Sequence, residues 1–514
     1  MLTKTDIINM QLSAAAPMST GEIIRELLKE DAASEEYRLA REGEAYYRAK
    51  HAVLHKDFRC SKVETTGVDE NTKQEVPVYE DFINPNASNE RLPHPFFHNH
   101  IEQKINYTLG KEPSISVTGQ APEGYGKALA ETTDAKFNKA IKSWAKQASK
   151  HGKAFLREYK DAEGKLRQAV VNRFNLLPIY DTALGEDLVE AIYYYPMKVR
   201  LTKTQTVDRI VAEWWTDRGV TYWISDHDGP FLPDPDRPGK QPHYWEVTYV
   251  TAEDGVTMTE KSRIPKSWGR VPFIELRNNE EASTDLERYK GLIDAYDMVA
   301  STGTNNLLDF NEFWLAIQGY GGDTASSIAR KLKINKAVGV NGQGGNIEMK
   351  QFSLDMAGRI AWLKVLREAI HEFGMAVDLN NDRFGNAPSG VALKFQYTLL
   401  DLKADGLIGE LQPALQEHFW FVTEELNRKN GTDYDAAAIE VAINKSMITN
   451  DTELVNMIGA SVDLVPERIL LAAHPLVIDP DAAMKEMEEQ RKRKAKEAQA
   501  AFGQYGQPPG GGDE

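Results

Sequence analysis

Two long stretches in the middle of the chain carry apolar residues at alternating steps of three and four positions. In 283–310 these are Leu286, Tyr289, Ile293, Tyr296, Ala300, Gly303, Leu307 and Phe310. In 353–378 they are Met356, Ile360, Leu363, Leu366, Ile370, Phe373 and Val377. This spacing is typical of a helix that packs along another helix. The pattern therefore predicts a hairpin of two amphipathic helices, each about 40 Å long at about 1.5 Å per residue.

The segment between these helices, 311–352, has short apolar runs separated by glycines. Runs of this length with glycine turns between them indicate short strands and tight turns. We predict a small αβ insert at the tip of the hairpin.

The remaining sequence predicts helices at both ends of the chain and a sheet between the first helices and the hairpin. Helical spacing covers about 19–56, 95–110 and 126–151, whereas 59–80 forms a hairpin or a loop. Residues 153–276 alternate β-branched and aromatic runs with turn clusters, which indicates a largely antiparallel β region. After the polar loop 379–390 the pattern predicts a helix to about residue 428, kinked at Pro413, and then shorter helices over 450–502. The fold class is thus α+β.

Composition and net charge limit the classes of protein to which the chain can belong. The 514 residues carry a net charge of −16, and 41% are hydrophobic. No apolar run approaches the roughly 20 residues that span a bilayer, and the amino terminus lacks an apolar stretch of signal-peptide length. The single cysteine, Cys60, excludes an intramolecular disulfide and a multi-cysteine zinc site. An acidic chain can contact nucleic acid only through a few local groups, because tight phosphate binding requires a basic surface.

No pattern in the sequence assigns a catalytic residue, a metal ligand or a cofactor site. His94, His98 and His100 have no acidic residue or cysteine beside them, so we interpret them as structural. The glycine run 339–345 lacks the Gly-Lys-Ser/Thr ending of a phosphate loop. The basic run 491–494 adjoins glutamates, so a solvated helix face and a contact with phosphates or acidic partners both stay open.

One aromatic group invites a nucleic-acid interpretation. Trp214, Trp215, Tyr222 and Trp223 could stack on bases. Basic neighbours are missing, so we favour a place in the core of the sheet.

Five segments in order along the chain resemble the portal proteins of tailed bacteriophages, in particular those of siphophages of Gram-positive hosts. They are 46–51 (YYRAKH), 99–113 (NHIEQKINYTLGKEP), 269–279 (GRVPFIELRNN), 292–297 (LIDAYD) and 389–393 (SGVAL). The pattern Asn-Tyr-x-Leu-Gly-Lys-x-Pro is the most specific of them. The resemblance covers about residues 45–428.

The resemblance implies the phage portal fold, with helical stem, αβ clip, mixed wing and α-helical crown, in a ring of twelve subunits. The implied parts are a wing at 1–282, stem helices at 283–310 and 353–378, a clip at 311–352, a tunnel loop at 379–390, a kinked wing helix at 391–429, a crown at 430–502 and a disordered tail at 503–514.

The resemblance also implies site residues. Those that would pack the stem between subunits are Leu286, Ile293, Tyr296, Leu363, Leu366, Ile370 and Phe373. Those that would dock a motor or an adaptor on the clip are Phe313, Leu315 and Ile317. Those of the tunnel loop that would approach DNA are Asn380, Asn381, Asp382 and Arg383. Arg383 is the only basic residue of this loop, so it is the expected phosphate contact, with an Asp382–Arg383 surface loop that never meets DNA as the alternative.

A portal at one capsid vertex conducts double-stranded DNA in and out without reading its sequence. The implied partners are the terminase large subunit, a head-tail adaptor, the major capsid protein and a scaffold protein, and the implied location is the virion, after assembly in the host cytoplasm. Twelve copies would carry roughly −190 formal charges, which favours a bore that DNA slides through without sticking. The alternatives are a tail-side or baseplate ring adaptor and, disfavoured by the missing acidic metal cluster, a packaging nuclease.

Overall fold

The computed structural model of the protein contains two compact units. The model describes residues 2–12, 17–68, 75–85, 87–119, 122, 124–182, 187–200, 202, 206–226, 229–251, 258–309, 314–318, 346–350, 356–378, 390–446, 451–462, 464–474, 477 and 480–504. The first unit is Met1–Asp378 with Leu399–Ser446, and the second is Leu379–Thr398 with Met447–Glu514. With 49% helix and 23% strand, the α+β prediction is confirmed.

Helices open the first unit. Those described before residue 290 are α1 (Lys4–Leu12), α2 (Thr20–Ala33), α3 (Glu35–Tyr47), α4 (Phe96–Leu109), α5 (Tyr125–Ala130) and α6 (Ala135–His151). The helix predicted over 19–56 is two helices, because Ser34 ends α2 and its hydroxyl accepts the Tyr37 amide at the start of α3. Residues 95–110 form one helix as predicted, whereas 126–151 divides into α5 and α6.

The β region is antiparallel, as predicted. Its strands before the hairpin are β1 (Cys60–Val68), β2 (Glu75–Ile83), β3 (Ser114–Val117), β4 (Lys153–Lys160), β5 (Leu166–Val171), β6 (Leu176–Tyr180), β7 (Leu188–Arg200), β8 (Thr206–Thr216), β9 (Gly219–Asp226), β10 (Leu232–Pro233), β11 (Tyr244–Thr251), β12 (Met258–Lys266) and β13 (Phe273–Arg277). A five-stranded sheet has the order β10-β9-β8-β7-β6, and a three-stranded sheet the order β13-β4-β5. Strands β1 and β2 pair with each other, so 59–80 forms the hairpin, one of the two structures expected for it. Strand β11 pairs with β12.

The main core of the first unit lies between α4, α6 and the long helix α9 (Gly390–Asn430). Its fully buried side chains include Phe97 of α4, Trp144 of α6 and Phe419 of α9. A second cluster packs α2 on the five-stranded sheet. Trp214 and Trp215 are 7% and 4% exposed, so the tryptophan pair belongs to the sheet core rather than to a base-stacking surface.

The predicted helical hairpin is present but shorter than expected. It consists of α7 (Lys290–Asp309) and α8 (Met356–Phe373), and the segment between them contains the antiparallel pair β14 (Trp314–Gln318) and β15 (Asn346–Lys350). At about 1.5 Å per residue the helices are about 30 and 27 Å long, not 40 Å. The first begins seven residues later than predicted, since residues 285–289 form turns. The second ends at Phe373. Two residues later Met375 has a positive φ of 51°, which a continuing helix does not allow.

The end of the chain is shared between the two units. Residues 430–446 belong to the first unit, where β16 (Ile439–Ala442) pairs with β3, and the crown boundary at 430 stays a prediction. Helix α9 contains Pro413, as expected. The second unit holds α10 (Asp451–Ala460), α11 (Glu467–Ala473) and α12 (Pro480–Gln504). None of the described helices combines the length and the apolar composition needed to cross a bilayer.

Helix α9 buries acidic side chains against the three-stranded sheet and its surroundings. Glu425 pairs with Lys160, and His418 Nδ1 lies 2.6 Å from Glu158 Oε1. Glu417 differs from these pairs. Its pKa is raised to about 7, mainly by burial and also by the negative charges of Asp187, Glu275 and Glu158, against the lowering effect of Arg270.

We therefore predict that Glu417→Gln stabilises the protein above neutral pH. Because the pKa of Glu417 is raised in the folded state, its carboxyl group contributes fully to the free energy of unfolding only below the unfolded-state pKa of about 4.5. This contribution is lost as the pH rises through the folded-state pKa of about 7. At pH 8 the variant should gain about 2–3 kcal/mol, at about 1.4 kcal/mol per pKa unit, and the gain should shrink towards pH 5.5. Thermal or urea unfolding at both pH values measures this. The exposed Glu424→Gln is the control, and an equal gain at both pH values would contradict the assignment.

Candidate subunit interface on the helical hairpin

The base of the hairpin is built into the main core of its own chain. Leu286 and Ile293 are 1% and 0% exposed, and Leu366 and Ile370 are 4% and 0% exposed. These four residues were expected to pack between subunits, and that role stays a prediction that a single copy of the chain does not test. Their side chains are already covered by other elements of the same chain, so they hold the hairpin to the body.

The other three predicted stem residues keep some access to solvent. Phe373 is 55% exposed, while Tyr296 and Leu363 are partly buried. Tyr296 also has an intramolecular contact, because Phe96 packs edge-on against its ring at 5.0 Å between centroids. A role for these three between subunits stays a prediction.

One side of α7 is fixed by a regular series of hydrogen bonds to the segment 88–94. Alternate backbone amides of that segment, read from residue 94 back to residue 88, donate to side chains of α7. The accepting residues are four positions apart, from Asp297 to Asp309. The donor–acceptor distances are 3.1 Å from His94 N to Asp297 Oδ1, 3.0 Å from Leu92 N to Ser301 Oγ, 2.7 Å from Glu90 N to Asn305 Oδ1 and 2.7 Å from Ser88 N to Asp309 Oδ1. Asn305 also donates from Nδ2 to the Glu90 carbonyl at 2.9 Å. We call this series the polar ladder.

The ladder can form because the rise of four helical residues nearly equals the span of two residues of extended chain. Four helical residues rise about 6.0 Å, and two residues of near-extended chain span about 6.6 Å. Pro93 and Pro95 keep the segment out of a helix and have no amide that would need a partner. Asp297 and Ser301 are 0% exposed, so their polar atoms would be costly without these bonds.

The most buried rung of the ladder is a carboxylate held by two histidines. Asp297 Oδ1 lies 2.8 Å from His94 Nδ1, and Asp297 Oδ2 contacts His51 Nδ1. Burial alone would raise the pKa of Asp297, but the hydrogen bonds and charges of His51 and His94 outweigh it and lower the pKa below its usual value. The segment before α4 and the loop after α3 are thus tied to one side chain of α7.

The histidines noted in the sequence have separate structural partners. His98 packs on the Tyr47 ring at 4.6 Å between centroids, and His100 Nδ1 lies 3.1 Å from the Tyr289 hydroxyl. Burial lowers the pKa of His100 well below its usual value. Within the described part of the chain, no group of His, Cys, Asp and Glu is arranged to hold a metal ion.

A second polar cluster lies where the turns before α7 meet α4 and α9. Lys104 Nζ donates to Asn278 Oδ1 at 2.7 Å and lies 3.2 Å from Asp285 Oδ2. Lys403 Nζ lies 3.1 Å from the same Asp285 oxygen and donates to the Gly374 carbonyl at 2.8 Å. Two buried ammonium groups therefore share one carboxylate.

The pKa values of this lysine–aspartate cluster reflect that imbalance. Burial, reinforced by the neighbouring Lys403, lowers the pKa of Lys104 to about 8 although Asp285 acts against it. Burial would raise the pKa of Asp285, but the two lysines lower it to about 2. Lys104 and Asp285 are therefore mainly ionised at neutral pH, and the cluster ties four segments of the first unit together.

The side of the hairpin away from the ladder is open and partly apolar. A groove of about 650 Å³ runs between the two helices and is lined by Met298, Val299, Thr302, Gly358, Arg359 and Trp362. Trp362 is 52% exposed. The Arg359 Nη1 atom is buried and has no hydrogen-bond partner in the described part of the chain. A buried guanidinium nitrogen without a partner is costly. We call this surface the hairpin groove.

Comparison with known proteins agrees with this architecture. The family model described as "Phage portal protein, SPP1 Gp6-like" matches residues 28–497. The chain belongs to this family. It is 25% identical over 412 residues to the portal protein of Bacillus phage SPP1, across 79% of this chain and 77% of that relative. It is 26% identical over 488 residues to the portal protein of Clostridium phage phiCD119, across 92% and 97% of the two chains.

Four of the five segments that carried the portal resemblance meet in pairs around the base of the hairpin. Tyr46, from the first segment, donates its hydroxyl to Asp294 of the fourth. His51 and Asp297 join the same two segments. Lys104 of the second segment binds Asn278 of the third. Their spacing in the sequence therefore corresponds to one connected structural unit of this portal chain.

The structure leaves the other predicted portal sites as predictions. Asn380, Asn381, Asp382, Arg383 and Phe313 lie outside the described residues, as do most of the clip and 505–514 of the tail. Leu315 and Ile317 lie in β14, where they pair in register with Met349 and Ile347.

The sequence reasoning missed the polar ladder. Its mark in the sequence is a polar residue with hydrogen-bonding atoms at every fourth position of α7, from Asp297 to Asp309. An apolar stripe identifies where a helix packs on another helix. This polar series marks where it binds a backbone.

We predict that Ser301→Ala loosens the ladder at one rung. The Leu92 amide loses its acceptor, at a cost of about 1–2 kcal/mol. Hydrogen exchange measured by mass spectrometry should become faster in peptides that cover residue 92 and change less in those that cover α4. Thr304→Ala, on the same helix but outside the ladder, is the control. Unchanged exchange in Ser301→Ala would contradict the assigned bond.

Proposed function

We propose that this chain forms a ring of twelve copies at one capsid vertex and that the ring conducts double-stranded DNA. The observation that carries the proposal is the hairpin groove. It exposes Trp362, while the opposite side of α7 is satisfied by the polar ladder. A surface of this kind favours a protein partner. Membership in the portal family makes a second copy the most economical partner.

Exposed apolar residues on both flanks of α8 favour a ring over a closed dimer. At about 100° per residue, Trp362 and Val365 point about 70–130° to one side of the buried line through Leu366 and Ile370, and Ile360 points about 90° to the other side. Trp362, Val365 and Ile360 are 52%, 50% and 63% exposed. A helix with two separate apolar flanks can contact a different neighbour on each side. Such heterologous contacts close into rings.

The parts of the proposed ring follow the family. The hairpin is the stem, the segment around β14 and β15 is the clip, 379–390 is the tunnel loop and the helices after residue 447 are the crown. The elements before α7 form the wing. In this proposal Arg383 makes the transient phosphate contact of the tunnel loop.

The proposed partners are those of a portal. The clip docks the terminase large subunit during packaging and a head-tail adaptor afterwards, and the major capsid protein and a scaffold protein surround the ring during assembly in the host cytoplasm. The chain supplies a passage, and the terminase supplies the energy. A net charge of −16 per copy favours weak, sequence-independent contact with DNA.

We predict that Trp362→Glu reduces ring assembly. The new charge would be buried against a neighbouring copy, so the population of rings should fall at least about tenfold at a fixed protein concentration. Native mass spectrometry and negative-stain imaging measure the population. Ala361→Glu places the same charge one residue away, on the side of α8 opposite the buried line, and should still form rings. Rings of normal yield from Trp362→Glu would contradict the proposed interface, and a wild-type chain that stays monomeric would refute the ring itself.

The clip assignment has its own test. In β14, Leu315 and Ile317 share one face of the strand, and Ala316 lies on the other. Leu315→Asp and Ile317→Asp should leave rings intact but lower terminase-driven packaging at least about tenfold, because a charge on the docking face is costly to desolvate. Ala316→Asp is the matched control. Equal packaging by all three variants would place the docking surface elsewhere.

A further inference from the structure

A small cavity in the first unit has the chemistry of an anion site. It measures about 210 Å³ and lies beside the lysine–aspartate cluster. Its lining contains three cationic side chains, Lys104, Arg288 and Lys403, and a single carboxylate, Asp285. The carboxylate is already shared by both lysines and by the Asn278 amide, which donates to Oδ1 at 2.8 Å. The walls of the cavity therefore carry excess positive charge.

The excess charge is removed from water. Lys104 is 1% exposed, and the Lys403 side chain is 9% exposed. A buried charge without a counterion is strongly destabilising, whereas a paired and hydrogen-bonded one is tolerated. The lowered pKa of Lys104 has the same cause, because burial disfavours its charged form. A bound anion would supply the missing charge.

One residue that lines the cavity, Thr284, has a hydroxyl without a hydrogen-bond partner in the described part of the chain. Thr284 is 3% exposed, and its Oγ1 atom is buried. Buried hydroxyls normally have a partner. Each lysine retains donor capacity as well, since an ammonium group carries three N–H bonds. One hydroxyl and two ammonium groups could all donate to the oxygens of one small oxyanion.

Access to the cavity runs past exposed residues. Arg288 is exposed at the edge of the cavity, and a side chain added at Gly406 would meet no atom within 4 Å. The volume suits a small tetrahedral anion with some water. It excludes a segment of duplex DNA, whose major groove alone is about 12 Å wide.

We infer that this cavity binds a free inorganic oxyanion of the phosphate type, held by Lys104, Lys403 and Thr284 with Arg288 at its entrance. The anion would join α4, the turns before α7, the end of α8 and helix α9 at the base of the hairpin. The inference concerns a single copy of the chain and does not depend on ring formation.

The first test is thermal unfolding of the purified full chain during titration with sodium phosphate, against sodium chloride at equal ionic strength. A site that binds only the folded state should give a saturable rise in Tm, of about 3 °C once phosphate is about 100-fold above its Kd. Calorimetric titration with phosphate should give about one site per chain. A Tm that rises without saturation, as general salting-out produces, together with no calorimetric binding, would overturn the inference.

Variants separate the site from general salt effects. Lys403→Met leaves the Lys104–Asp285 pair intact, so it should fold and lose the saturable rise. Arg288→Gln changes an exposed residue and should weaken phosphate binding about tenfold, which keeps the test decisive if Lys403→Met unfolds. Lys136→Met removes an exposed lysine of α6 and is the matched control. Equal phosphate binding by wild type and Arg288→Gln would count against the assignment.

A third arm distinguishes the source of the phosphate. Short duplex DNA at the same phosphate concentration should neither produce the saturable rise nor compete with free phosphate, because the duplex cannot enter the cavity. DNA that competes with free phosphate, or that replaces it, would overturn the assignment to a free anion.

Discussion

A helix can offer one face to a neighbouring molecule only if its other face is held in place. In this chain the holding interaction is the polar ladder, in which the segment 88–94 gives alternate amides to side chains of α7. Apolar packing alone would allow the helix to slide or rotate by one residue at modest cost. A series of directional hydrogen bonds, with Asp297 fully buried at one end, fixes both its rotation and its position along its axis.

This anchoring explains how the hairpin divides its surface. Leu286, Ile293 and Ile370 are used inside the chain, so the residues left for a partner are those of the hairpin groove and the flanks of α8. Part of the three-and-four stripe therefore anchors the hairpin, whereas Ile360 and Phe373 of the same stripe stay exposed, at 63% and 55%.

The sequence predicted the element types well because they depend on local periodicity and turn chemistry. The hairpin, the antiparallel sheet and α4 follow from such patterns. Contacts between residues that are far apart in the sequence do not follow from such patterns. Nothing near Lys104 in the sequence indicates that Asp285 and Lys403 would meet it, and the short run 439–442 gives no sign that it pairs with β3. Periodicity also shows that a residue is buried without showing which chain buries it, as at Leu286, Ile293 and Ile370, which are covered within their own chain.

The charge distribution adds a last constraint. The chain is acidic overall, with a net charge of −16, and its long-range field repels phosphates. Yet the cavity beside Asp285 concentrates three cations around one carboxylate. Surface fields are screened within about 8–10 Å in physiological salt, whereas buried groups are screened far less. The proposed passage of DNA and the inferred binding of a small anion are therefore compatible, because the first depends on the screened surface field and the second on buried groups at short distance.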